Sequence, residues 1–165
     1  MPATYEPIAT TTLGSAAASI SFTSIATSWT DLRVVVNGTP TANLQFLLRF
    51  NNDSATNYSG TDLDGNGTSA ASNRYTGDTG IYANWSAFAT SAQPAFITYD
   101  VFSYAGSTFK TALTTFNQDR NGTGFVERGV GLWRSTSAIN RVDIVASANS
   151  FNTGTTATLY GIKAA

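Results

Sequence analysis

The sequence predicts an all-β protein: a two-sheet antiparallel sandwich, jelly-roll-like, with about eight or nine strands. Three observations carry that prediction. Apolar residues recur at every second position in many short segments, clusters of Gly, Asn, Asp and Ser separate those segments at roughly 8 to 12 residues, and no stretch holds a helical period. Ala16-Ala17-Ala18 is too short for a helix and is flanked by β-formers.

The first strand signal lies between Ser19 and Ser24, where Ile20 and Phe22 share one side of an extended chain, and Ser19, Ser21 and Thr23 the other. Leu32, Val34 and Val36 repeat the pattern after Trp29-Thr30-Asp31, and Asn37-Gly38 is expected to turn. The clearest strand is Ala42 to Phe50, where Leu44, Phe46, Leu48 and Phe50 oppose Gln45, Leu47 and Arg49. Weaker alternation marks Gly80 to Trp85, Phe96 to Val101 and Thr108 to Gln118. Phe125 to Trp133, Ile139 to Ser147 and Thr156 to Lys163 complete the set. Turns are expected at Gly106-Ser107, Asn121-Gly122, Ser135-Thr136-Ser137 and Asn152-Thr153-Gly154.

Both ends read as parts of the fold. In the closing Ala157-Thr158-Leu159-Tyr160-Gly161-Ile162, the residues Ala157, Leu159 and Gly161 fall on one face and Thr158, Tyr160 and Ile162 on the other. Such a strand is expected inside a sheet. Residues 1–165 are expected to form one β-sandwich domain, with 1–12 as an N-terminal arm. The stretch 51–79 is polar and glycine-rich and reads as a long loop, of the length that is either functional or poorly ordered. Tyr58 and Tyr75 lie within it as candidate anchors to a partner.

The chain has 165 residues, 42% of them hydrophobic and 12% aromatic, which excludes disorder. Charged residues make up 12%, about half the usual share. Hydroxyls and amides replace them at the surface. The net charge is −1 and the basic residues are scattered, so no basic stripe is available for phosphates and nucleic acid is not an expected partner. The apolar runs are too short to cross a bilayer, so no membrane partner is expected either. The N-terminus lacks the charged and apolar regions of a signal peptide, which points to synthesis and folding in a cytoplasm. With no cysteine and no histidine, disulfides, thiolate sites, His-based metal sites and a Ser-His-Asp triad are excluded.

Few residues suggest chemistry. Asp62-Leu63-Asp64-Gly65-Asn66-Gly67 places oxygen ligands at alternate positions as a calcium loop does, but position twelve from Asp62 is Asn73, not Glu. An ordinary Asp/Asn/Gly turn is the preferred reading, and no metal or other cofactor is expected. The ligands to test are Asp53, Asp62, Asp64 and Asn66. The two glutamates, Glu6 and Glu127, stand in contexts that give no sign of a raised pKa, and no catalytic residue is assigned. Trp133 and Trp29 read as core, while Trp85 is open to either a core or a sugar-binding role. Six Asn-x-Ser/Thr triplets follow from composition alone.

Several segments carry a resemblance: Tyr5-Glu6-Pro7-Ile8-Ala9 with Leu13-Gly14-Ser15, Trp29-Thr30-Asp31-Leu32, Leu48-Arg49-Phe50-Asn51, Gly131-Leu132-Trp133-Arg134-Ser135 and Ala157 to Lys163. Together they resemble small virion structural proteins of tailed bacteriophages, over nearly the whole chain. The resemblance implies a β-sandwich subunit of the particle, made in the bacterial host cytoplasm and located at the capsid surface. In that role it would be a capsid decoration (cement) protein that binds the major capsid protein lattice and stabilises the shell, as a homo-oligomer with a trimer favoured. The alternative is a tail-fibre or receptor-binding module recognising host surface glycans. An enzyme is not expected. Candidate contact residues are Tyr5 and Ile8 in the N-terminal arm and Tyr58 and Tyr75 in the long polar loop.

Overall fold

Alternation along the chain becomes twelve strands in the computed structural model, which describes residues 5–163. They are β1 (Tyr5–Thr12), β2 (Ser19–Phe22), β3 (Asp31–Gly38), β4 (Phe46–Phe50), β5 (Tyr58–Gly65) and β6 (Ala70–Asp78), then β7 (Ile81–Tyr82), β8 (Ala95–Phe102), β9 (Lys110–Asp119), β10 (Gly124–Trp133), β11 (Val142–Ala146) and β12 (Thr156–Ile162). No helix occurs among the described residues. All pairings are antiparallel, in an eight-stranded sheet ordered β1-β12-β3-β8-β9-β10-β5-β6 and a four-stranded sheet ordered β2-β11-β4-β7.

The topology resolves into a frame with two additions. Without the hairpins β5–β6 and β9–β10, the sheets are β1-β12-β3-β8 and β2-β11-β4-β7. The first strand then lies beside the last, and the chain passes repeatedly from one sheet to the other. This is a jelly roll. The hairpins extend one of its sheets past β8, with β10 joined to β9 on one side and β5 on the other.

The core forms where period-two patterns from both sheets meet. Leu32, Val34 and Val36 of β3, Ile97, Tyr99 and Val101 of β8, and Ala157 and Leu159 of β12 all point inward and are fully buried. Opposite them lie Ile20, Phe22, Phe46, Leu48, Phe50, Val142 and Ile144 of the smaller sheet. Phe46 stacks on Phe151 with ring centroids 4.9 Å apart. Trp133 is buried, as the sequence indicates, between Phe50 and Tyr58. Trp29 is half-buried against the core. Gly161 makes room for it, since a Cβ there would fall 2.1 Å from the indole.

The structure corrects three expectations. The stretch 51–79 is not a long loop. Left-handed Asn51 and Asn52 open a short turn, and most of the remaining stretch is the β5–β6 hairpin, which buries Asp62 and Tyr75 on its inner face and turns Ser72 and Arg74 outward. Residues 5–12 are not a free arm either, because β1 pairs with β12 along its length; residues 1–4 lie outside the described residues. Asn37-Gly38 does not turn. Both residues continue β3, with Gly38 opposite Ala95 and against Thr155, where a Cβ would meet that side chain at 2.4 Å. The nine expected strands all appear, and the three unexpected ones are β1, β5 and β6. Asn121-Gly122 does turn, with φ of 59° and 108°, joining β9 to β10 by the tight connection that suits twisted hairpins.

Candidate functional site

The contact and ligand residues expected from sequence do not assemble into one site. Tyr58 is fully buried, its hydroxyl donating to the Asp53 carbonyl and accepting from the Phe50 N–H, both at 3.1 Å. Tyr75 is also buried, and its hydroxyl accepts the Tyr82 N–H at 3.0 Å. Burial pushes both phenols well above their ordinary range. Neither is free to anchor a partner. They are interior residues because each sits on the inward parity of its strand. Ile8 is partly buried against the core, whereas Tyr5 is 43% exposed and stacked on Tyr160 at 4.6 Å.

The four oxygen ligands separate in the same way. Asp53 accepts from the Trp133 indole at 2.7 Å, from Asn57 and from the Ala55 N–H. Burial raises its pKa, but the donors from Asn57, Trp133 and Ala55 outweigh that and hold it below its ordinary value. Asn66 closes its own turn by accepting from the N–H groups of Thr68 and Ser69. Asp62 and Asp64 do come together. Alternation along β5 puts both on the inner face, where the Asn73 amide donates to each, at 3.2 and 3.0 Å.

That pair belongs to a larger polar cluster which includes Glu127. In the β10–β5 register Glu127 stands directly across from Asp64. It is 3% exposed, and its two oxygens accept the backbone N–H groups of Trp85 and Ser86 at 2.6 and 3.2 Å. The Ser86 hydroxyl donates to Asp62 at 3.0 Å. Burial, with the charge of Asp62 next, pushes the Glu127 carboxyl up to about 8, against the two N–H donors that pull it down. The expectation that nothing perturbs this residue is therefore overturned. Its inward parity beside Phe125 and Trp133 was the available signal. The cluster clips the segment after β7 onto the inner face of the added hairpins. Among the described residues no group of three or more acidic side chains is placed to hold a metal ion.

The surface carries a different kind of feature. Strand pairing aligns Phe96 of β8, Asn117 of β9, Val126 of β10 and Gly65 of β5 across the outer face of the large sheet. Phe96 is 47% exposed, Val126 57%, Val130 43% and Leu63 66%, all on this face. Thr98, Thr115 and the ion pair between Arg33 and Asp100, at 2.8 Å, lie among them. An open concavity of about 600 Å³ borders Val126, between the tips of the two added hairpins. The sequence signal for this face is apolar residues out of phase with the buried set, such as Phe96 between Ala95 and Ile97, or Val126 after Phe125.

Trp85 packs against the cluster. It stacks on Tyr75 at 4.8 Å and meets the edge of Tyr82 at 4.7 Å, so one indole face is already covered.

No family model matches the chain, and no curated protein matches it. Among solved structures it is similar to sucrose-6-phosphate hydrolase from Lactobacillus gasseri, at 13% identity and a TM-score of 0.31. That similarity covers 90% of this chain and 28% of the hydrolase, and at such a score it carries no argument.

Proposed function

We propose that the protein is a structural component of a bacteriophage particle, a capsid decoration protein that binds the major capsid protein lattice and stabilises the shell. The observation that carries this reading is the outer face of the eight-stranded sheet. It is wide, and it exposes Leu63, Phe96, Val126 and Val130 among threonines and asparagines, with Arg128 across from Leu63 and the Arg33–Asp100 pair beyond. Exposed apolar residues spread over one sheet face suit protein–protein contact. The sequence resemblance to virion structural proteins supports the same conclusion. Adhesion to a lattice requires only a complementary surface repeated in register, and binding to the assembled shell stabilises it by mass action.

The competing reading is a receptor-binding module for host glycans. Trp85 is the tryptophan this reading would use, and its packing on Tyr75 covers one indole face. The test is binding to tail-free shells. Purified protein should bind them, and Val126→Asp with Val130→Asp should abolish binding while the circular dichroism spectrum stays that of the parent. In purified virions the protein should appear at a copy number comparable to the major capsid protein. A few copies per particle, together with glycan binding lost in Trp85→Ala, would replace this reading with the receptor one.

A further inference from the structure

The two edges of the large sheet are built differently. At one end β1 carries Pro7, which has no N–H to offer, and its register against β12 shifts between Pro7 and Ala9. Proline and irregular pairing are the usual means of closing an edge to further strands. At the other end β6 has no proline, and its one irregularity falls at its end rather than within it. Its regular part, Ala70 to Thr76, pairs residue for residue with β5 until the irregularity at Gly77, whose φ is +68°. Arg74 is the sole charge of that regular stretch, Asp78 lying beyond Gly77, and the guanidinium turns back over its own sheet to donate to Thr61 at 2.9 Å. The strand is mostly exposed, and no strand pairs with its outer side among the described residues.

We propose that this edge is the pairing site for a second copy of the chain, joined β6 to β6 in antiparallel fashion about a two-fold axis through Asn73. Three features of β6 fix that axis. Asn73 is the midpoint of the regular stretch, so this register pairs all seven of its residues. Side chains on the same face must meet, which requires partners of the same parity, and the register satisfies it. Each larger residue then lies across from a smaller one: Tyr75 across from Ala71, Arg74 from Ser72, Thr76 from Ala70. A two-fold axis at Arg74 would instead set the two arginines across from each other and run Ala70 and Ala71 against the partner's irregular end at Asp78 and Gly77. The product is a continuous sheet of two copies, a closed two-fold assembly in which the pairing strands cap one another. It is a property of the isolated chain and needs no capsid.

Sedimentation of the purified protein over a wide concentration range tests the proposal. A dimer should form. Ser72→Lys puts an ammonium across from the partner's arginine at two symmetric places and should weaken the dimer about tenfold or more, while Ser72→Asp should tighten it. Ser72 faces solvent, so the circular dichroism spectrum should not change with either substitution. A protein that stays monomeric throughout, forms a trimer, or associates equally well with lysine and aspartate at position 72 would overturn the proposal. Shell binding is read separately, so either result can fail alone.

Discussion

The two halves of the large sheet present different interiors. Over β12, β3 and β8 the inner face is aliphatic and aromatic, and the smaller sheet covers it. Over β9, β10, β5 and β6 it mixes Phe116, Trp133 and Tyr58 with Thr114, Gln118, Glu127, Asp62 and Asn73, and much of its cover is the segment between β7 and β8. The first half is held by packing, which is non-directional and tolerant of detail. The second adds to its packing buried polar groups that depend on hydrogen bonds, which Glu127, Gln118 and Asn73 make. Gln118 shows the pattern, bonding both the N–H and the carbonyl of Thr90 at 3.1 and 2.8 Å. The same sheet thus combines two kinds of stability, and substitutions should separate them.

The largest effect is expected where the smaller sheet covers the packed half. Phe46→Ala removes a fully buried ring stacked on Phe151 and should cost about 3–5 kcal/mol, read from urea unfolding. In the added half the sharpest steric test is Gly131→Ala. Its Cβ would fall 2.3 Å from Ile81, and the strain should cost about 1–3 kcal/mol by the same measurement.

Acid–base behaviour sharpens the contrast. Glu127 is raised from 4.5 to about 8 in the folded protein, so in that interval the folded state holds more protons than the unfolded one. Stability should therefore be highest below about 4.5 as far as this group is concerned, and fall as pH rises towards 8. The expected loss is at most about 5 kcal/mol across that window. Urea unfolding at successive pH values should show this slope in the parent and a flatter one in Glu127→Gln. A parent whose stability rises between pH 5 and 8 would show that the two N–H donors outweigh burial. The smallest effect is expected at the open edge, where Ser72→Lys should change the stability of the single chain by less than about 0.5 kcal/mol.

The same contrast explains what the sequence could reveal. Leu32, Val34 and Val36, or Ala157 and Leu159, announce their strands because water and interior impose opposite chemistry on alternate residues. In β5 and β6 the inward positions hold Gly60, Asp62, Asp64 and Asn73, and the outward ones include Leu63. Polarity no longer separates inside from outside, so the hairpin reads as a loop. Asn121-Gly122 is legible as a turn because left-handed backbone is demanded there, whereas Asn37-Gly38 has the same letters and no such demand. Glu127 escapes a reading of the sequence for a related reason. Its partners are the N–H groups of Trp85 and Ser86, about forty positions away in the chain, and a backbone donor leaves no mark on side-chain pattern.

The strand order also has a consequence for synthesis. The β5–β6 hairpin docks on β10, which is made well after it, and its other side is an edge. A two-stranded hairpin has little stability alone. On the ribosome the earlier hairpin must therefore wait, undocked, until the chain has been extended through Trp133, and only then does the broad half of the sheet close as one cooperative unit.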